Sequence, residues 1–189
     1  NFAAALLHHD KTAPLPFETM ADVVTATFQK DGNVNVNLTN PHSMQLFVLN
    51  ADPTVGADVH FLNTGVPHAV AFLDKLEDLN ISRLGAYLRY HEAFSPKGTN
   101  ANFARILSPG HIAIRTYERG VEDETLACGT GMTACALLHA VLADAPSPIQ
   151  VDVAGGDTLK VGFQRTGDRF TDVTLTGPAD LVFTGDIQI

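Results

Sequence analysis

Glu118-Arg119-Gly120-Val121-Glu122-Asp123-Glu124-Thr125-Leu126-Ala127-Cys128-Gly129-Thr130-Gly131 is the stretch from which the fold can be worked out. Before it, residues 111–118 alternate apolar and polar side chains, the pattern of a half-buried strand. After it, Met132 to Ala145 is apolar except for Thr133, His139 and Asp144. That run is too short to span a bilayer and reads as a buried helix. Strand, loop and helix thus meet at one thiol. The glycines keep the turn slim, so a ligand can approach the backbone. The amides of Gly129, Thr130 and Gly131 open the helix and suit an anion such as a carboxylate. The same position favours a thiolate, so Cys128 is expected to be more acidic than a free cysteine. Such a thiol suits nucleophilic attack or proton abstraction beside a carboxylate. A plainer reading makes Thr130 a helix cap and Cys128 a small core residue.

Outward from this point, periodicity predicts helices over 2–9, 80–91 and 130–143. Residues 21–29 and 33–39 read as a hairpin about Asp31-Gly32-Asn33. Strands are expected near 58–63, 68–73, 101–107, 111–118, 148–154, 158–164 and 171–176, and over 180–189. Many strands with few helices predict an α+β fold, its sheet curling around a central helix. Asn40-Pro41 is a turn signal and a candidate boundary. It divides 1–39 with 180–189 from 40–179. Ala3-Ala4-Ala5-Leu6-Leu7-His8 echoes Ala134-Cys135-Ala136-Leu137-Leu138-His139 at five of six positions, which predicts a duplicated unit. The opening Asn1 to Asp10 reads as a helix already under way. The expectation is a chain that begins inside a larger protein, with the counterpart of Cys128 upstream of Asn1.

The 189 residues are 45% apolar and 17% charged, with a net charge of −9. That is enough for a real core. The acidic balance argues against nucleic acid and anionic membranes as partners. The two cysteines, Cys128 and Cys135, form neither a metal pattern nor a disulfide framework. Reduced thiols in a cytoplasmic protein are expected. Cys135, about two turns into the helix, reads as buried packing.

Glu118-Arg119-Gly120 followed by Glu124 to Gly131 resembles the second cysteine signature of the diaminopimelate epimerase family. Gly65-Val66-Pro67-His68 resembles that family's Gly-Asn-Pro-His segment. Arg89-Tyr90-His91 through Phe94, Gly98 to Phe103, and Gly177-Pro178-Ala179 with Val182-Phe183 fit in the same order. The likeness covers essentially the whole chain.

The resemblance implies pseudo-symmetric domains, each with a mostly antiparallel sheet around a central helix. It implies a cofactor-independent and metal-free epimerase that interconverts LL- and meso-diaminopimelate for lysine and peptidoglycan precursors. Two cysteines on opposite faces of Cα then exchange the α-proton. Cys128 would be one, with Gly129 and Thr130 holding the α-carboxylate. Arg119 would take the distal carboxylate. Glu118 and Asn100 would take the distal ammonium, with Asn63 or Thr64 nearby, and His68 would sit beside the site. A homodimer is the assembly the family implies. Val66 departs from the family's asparagine, and the first cysteine motif is absent. The chain alone is therefore expected to be inactive. Two alternatives stand beside this reading. One is a racemase of another amino acid, such as histidine or hydroxyproline, in the same fold. The other is a non-catalytic ligand-binding module.

Overall fold

The computed structural model describes residues 10–18, 23–180 and 185. Twelve strands form one sheet: β1 (Leu15–Glu18), β2 (Val23–Phe28), β3 (Val34–Asn37), β4 (His42–Asp52), β5 (Ala57–Asn63), β6 (Pro67–Phe72), β7 (Asn100–Ser108), β8 (His111–Glu118), β9 (Asp123–Thr125), β10 (Ile149–Asp152), β11 (Thr158–Thr166) and β12 (Arg169–Gly177). The order is β1-β2-β3-β12-β11-β10-β8-β7-β6-β5-β4, with β9 beside β8. Pairing is antiparallel except for β6 with β7 and β10 with β8. The helices are α1 (Ile81–Arg89) and α2 (Gly129–Ala143). The α+β class and the curling sheet are as the sequence predicts.

The curl follows from the composition of α2. Every residue from Gly131 through Ala140 is buried. A helix that is apolar all round needs neighbours all round. It has them, for α2 touches β5, β6, β7, β8, β10, β11 and β12. Leu137, Leu138, Ile149, Val151 and Val161 form the centre of that core. Cys135 is wholly buried there. The second core lies on the outer face of β7 and β8. Ile81, Leu84 and Leu88 of α1 pack there against Phe103 and Tyr117. Asn80 caps α1, accepting the Arg83 amide at 3.0 Å.

The predicted hairpin forms, with Ala26 opposite Val36. Asp31 shapes its turn by accepting from the Asn33 amide at 3.0 Å. Three strands were not anticipated. β4 is eleven residues long, but Ser43, Phe47 and Ala51 have left-handed φ angles. Each resets the alternation that would reveal a strand. β1 contains Pro16, which an edge strand tolerates because its N–H side need not pair. β9 is a short polar segment held by β8. The helix read over 2–9 lies outside the described residues. So does the strand read over 180–189, apart from Asp180 and Gly185, which carry no regular structure.

Candidate active site

Cys128 stands at the start of α2 in an extended conformation, φ −131° and ψ 107°. The first helical bond runs from the Met132 amide to the Cys128 carbonyl at 2.8 Å. The amides of Gly129 and Thr130 precede it and lie outside the helical ladder. Gly131 is required by its surroundings. A Cβ there would lie 2.4 Å from Asn102 Oδ1 and 3.3 Å from Cys128 Sγ.

The acidic loop before the thiol is anchored residue by residue. Gly120 turns at φ +98° and Glu122 at +59°. Glu122 accepts from the Gly120 amide at 3.0 Å and pairs with Arg89 at 3.1 Å. Ser82 donates to Asp123 at 2.9 Å. Arg115 holds Glu124 through two bonds of 2.7 Å, the bidentate geometry that arginine favours. The Leu126 carbonyl accepts from the Gly155 amide at 2.9 Å. Three acidic groups, Glu122, Asp123 and Glu124, thus position a turn instead of forming a loose charged face.

Cys128 itself differs from its expectation. It is only 7% exposed, and burial is the largest influence on its thiol. Hydrogen bonds from Thr130 and the Gly131 amide favour the thiolate, while the Glu118 carboxylate opposes it. The net direction is upward. The acidification expected from the helix start is therefore corrected, because a nearly water-free position disfavours an anion more than this helix end favours it. Thr130 Oγ1 lies 3.6 Å from Sγ. Cys135, the other thiol, is pushed up further still by complete burial.

Of the residues singled out from sequence, Thr64 and Glu118 reach this helix start, while Asn63, Asn100 and Arg119 lie at the ends of β5, β7 and β8. Thr64 is buried and donates to the Thr130 carbonyl at 2.9 Å. Its hydroxyl ties the β5–β6 turn to α2. Asn63 accepts the Gly65 amide at 3.0 Å. Asn100 accepts the Arg119 amide at 2.8 Å and donates to the Pro67 carbonyl at 3.1 Å. Its amide thus fixes where Arg119 leaves the strand. Glu118 accepts from Thr125 at 2.5 Å. Arg119 donates to the Lys97 carbonyl at 3.3 Å and pairs with no carboxylate among the described residues. Glu118 and Arg119 therefore do not form the surface ion pair that adjacent opposite charges suggest.

Arg119 and Asn63 line a cleft of about 440 Å³, together with Gln45, Phe61, Pro67 and Lys97. Two cationic side chains at an otherwise mixed wall suit a carboxylate. Cys128 does not line this cleft; Glu118, next to Arg119 in sequence, is the residue that bears on the thiol. Gln45 escaped the sequence reading because β4 did. Lys97 lies in a loop with no periodicity to mark it.

His68 is wholly buried. Burial, helped by the Arg119 charge, pushes its imidazole down to about 3, so it is neutral at ordinary pH. Asn102, within the Gly98 to Phe103 segment, is also wholly buried, a position the sequence does not single out. The available signal was its spacing, for 100 and 102 share one face of an apolar strand.

Among the described residues, no three His, Cys, Asp or Glu side chains gather as a metal-ligating group, and no helix is long and apolar enough to cross a membrane.

A family model described as diaminopimelate epimerase matches residues 60–182. The diaminopimelate epimerase of Aquifex aeolicus is 42% identical over 174 residues, which cover 91% of this chain and 61% of that protein. That of Hydrogenobaculum sp. is 40% identical over 188 residues, covering 97% and 66%. The chain therefore spans less than two thirds of the length of these relatives. Among solved structures, a probable proline racemase from Agrobacterium radiobacter superposes with a TM-score of 0.66 at 20% identity, covering 88% of this chain and 57% of that one. A phenazine biosynthesis protein of the PhzF family from Bacillus anthracis gives 0.66 at 13% identity, covering 94% and 69%. These two likenesses show the fold.

Proposed function

This chain belongs to the diaminopimelate epimerase family, and from that premise we propose that it carries one half of the acid–base machinery that interconverts LL- and meso-diaminopimelate. The observation that supports this best is Cys128 at the start of a buried helix, with Glu118 beside the thiol and Arg119 fixed by Asn100. The amides of Gly129 and Thr130 receive the α-carboxylate and stabilise the negative charge that develops as Cα loses its proton. Arg119 takes the distal carboxylate, for which a planar fork is suited. Glu118 and Asn100 take the distal ammonium, with Asn63 or Thr64 nearby. The reading needs no pyridoxal phosphate and no metal.

The chemistry asks one thiol to give a proton to Cα and another to remove one from the opposite face. A thiol whose ionisation is pushed up is suited to giving. It becomes a base when a bound ligand or a closing wall changes its surroundings. Cys135 is sealed inside α2 and cannot be the partner. The reading assigns that role to a group outside these 189 residues, and the chain alone turns over no substrate. We also keep residues 1–39 with 180–189 as the remnant of one domain and 40–179 as the other. In support, the chain passes at Asn40-Pro41 from β3, near one end of the sheet, to β4 at the other. A cytoplasmic homodimer is the setting that goes with this reading.

The test is protection of Cys128 from alkylation. meso-Diaminopimelate is expected to slow the reaction. Lysine, which lacks the distal carboxylate, should not, and Arg119→Ala should remove the protection. Protection by proline or histidine in its place would transfer the site to another amino acid. In an enzyme with both thiols present, deuterium from solvent should enter Cα of both stereoisomers.

A further inference from the structure

The buried pair His68 and Asn102 is not accounted for by the chemistry above. Asn102 is fully enclosed, and both polar atoms of its side chain are engaged. Its Nδ2 donates to the Ala69 carbonyl at 3.0 Å and to His68 Nδ1 at 3.1 Å. Its Oδ1 accepts from Thr116 Oγ1 at 3.0 Å. The Ala69 carbonyl can only accept, so the amide has one orientation. Its second N–H then points at His68 Nδ1, which must accept. A neutral imidazole that accepts at Nδ1 carries its proton on Nε2. His68 Nε2 is buried and has no hydrogen-bond partner among the described residues.

We propose that Asn102 is a positioning residue that locks His68 as the Nε2–H tautomer, so that His68 offers a hydrogen-bond donor to an acceptor arriving with the ligand. The inference rests on the epimerase reading for the identity of that acceptor, an anionic group of the substrate. It does not rest on it for the tautomer. A buried donor left unpaired carries a free-energy penalty, which is relieved when an acceptor arrives. The location supports the same conclusion. His68 pairs with Asn100 across β6 and β7. Arg119 is the charged neighbour that acts on the ring. Asn102 Oδ1 lies directly beneath Gly131, in the first turn of α2. One amide therefore fixes both the histidine and the floor beneath the catalytic helix start. In this state His68 can donate from Nε2 but cannot remove a proton there.

The experiment is nitrogen-detected NMR of ring-labelled histidine in the 189-residue chain, with His68 assigned by its loss in His68→Gln. At neutral pH, His68 is expected to show a protonated Nε2 and an unprotonated Nδ1. In Asn102→Asp the carboxylate can only accept, so the proton should move to Nδ1 and the pattern should invert. Adding meso-diaminopimelate to the wild-type chain should shift the Nε2 resonance and leave Nδ1 nearly unmoved. A wild-type His68 that is charged at neutral pH, or protonated at Nδ1, would overturn the proposal without any variant needing to fold. An unchanged tautomer in a folded Asn102→Asp would also overturn it. A correct tautomer with no response to diaminopimelate would leave the lock standing and count against the substrate reading alone.

Discussion

The thiol of Cys128 is governed by two opposing influences that a sequence shows unequally. The helix start is legible from Cys128-Gly129-Thr130-Gly131. The burial of the sulphur and the approach of Glu118 are not, because both depend on how the loop is anchored by Arg89, Ser82 and Arg115. The anchored loop leads to a prediction about ionisation. Alkylation of Cys128 should reach half its limiting rate at a pH above that of an ordinary cysteine. Glu118→Gln removes a negative charge beside the thiolate, so the profile should move to lower pH, by a fraction of a unit to about one unit. A profile that stayed put would mean that Glu118 does not act on the thiol. Cys135 should remain unmodified until the chain unfolds. At Arg119 the family resemblance implies a ligand-binding cation, and the structure adds how it is held. Arg119→Lys keeps the charge but loses the planar fork. Diaminopimelate protection should then weaken by about tenfold or more, equivalent to at least about 1.4 kcal/mol.

At the scale of elements, the sequence was most informative where burial follows a simple period. α2 is legible nearly to the residue because its interior is apolar apart from Thr133 and His139. β7 and β8 were read because they alternate. β4 was missed for the converse reason, its phase being reset at Ser43, Phe47 and Ala51. β9 was missed because Asp123-Glu124-Thr125 has no apolar face and becomes a strand only through β8. The closeness of α2 to β7 was also invisible, since it depends on the lack of a side chain at Gly131. Gly131→Ala should place a methyl group against Asn102 Oδ1 and cost about 1–3 kcal/mol, read as a lower urea midpoint. Its effect should extend to the His68 resonances, because the displaced atom belongs to the same amide. Leu137→Ala, at the centre of the first core, should cost about 2–5 kcal/mol with little change in the ionisation of Cys128.

For the whole molecule, the buried imidazoles link stability to pH. His68 is held neutral down to about 3, against an ordinary value of 6.5, and burial also lowers His60. The unfolded chain takes up these protons first as pH falls. Stability from this source is therefore complete above 6.5 and declines toward the lowered values, by up to about 1.4 kcal/mol per pH unit for each group. Urea midpoints measured between pH 6.5 and about 5, above most carboxylate titrations, should fall as pH is lowered. In His68→Gln the slope should be shallower. An equal slope would show that His68 titrates normally in the fold. None of this was readable from sequence, where a histidine beside a Gly-Val-Pro turn is as consistent with the surface as with the interior.

The three left-handed residues of β4 bear on how this molecule behaves in company. Among the described strands, β4 is one of the two ends of the sheet, and Leu46 and Phe47 on it are exposed. A long, straight, greasy border of this kind invites a neighbouring chain to add itself as the next strand, and then another. β4 matches β5 only at His42, Gln45, Leu49 and Asp52, with its register slipping between them. A regular strand arriving from outside would find hydrogen-bonding groups that fall out of step within one turn of the pleat. The irregularity that hid β4 from its own sequence thus guards the molecule's border, letting an apolar margin stay exposed without seeding fibrils.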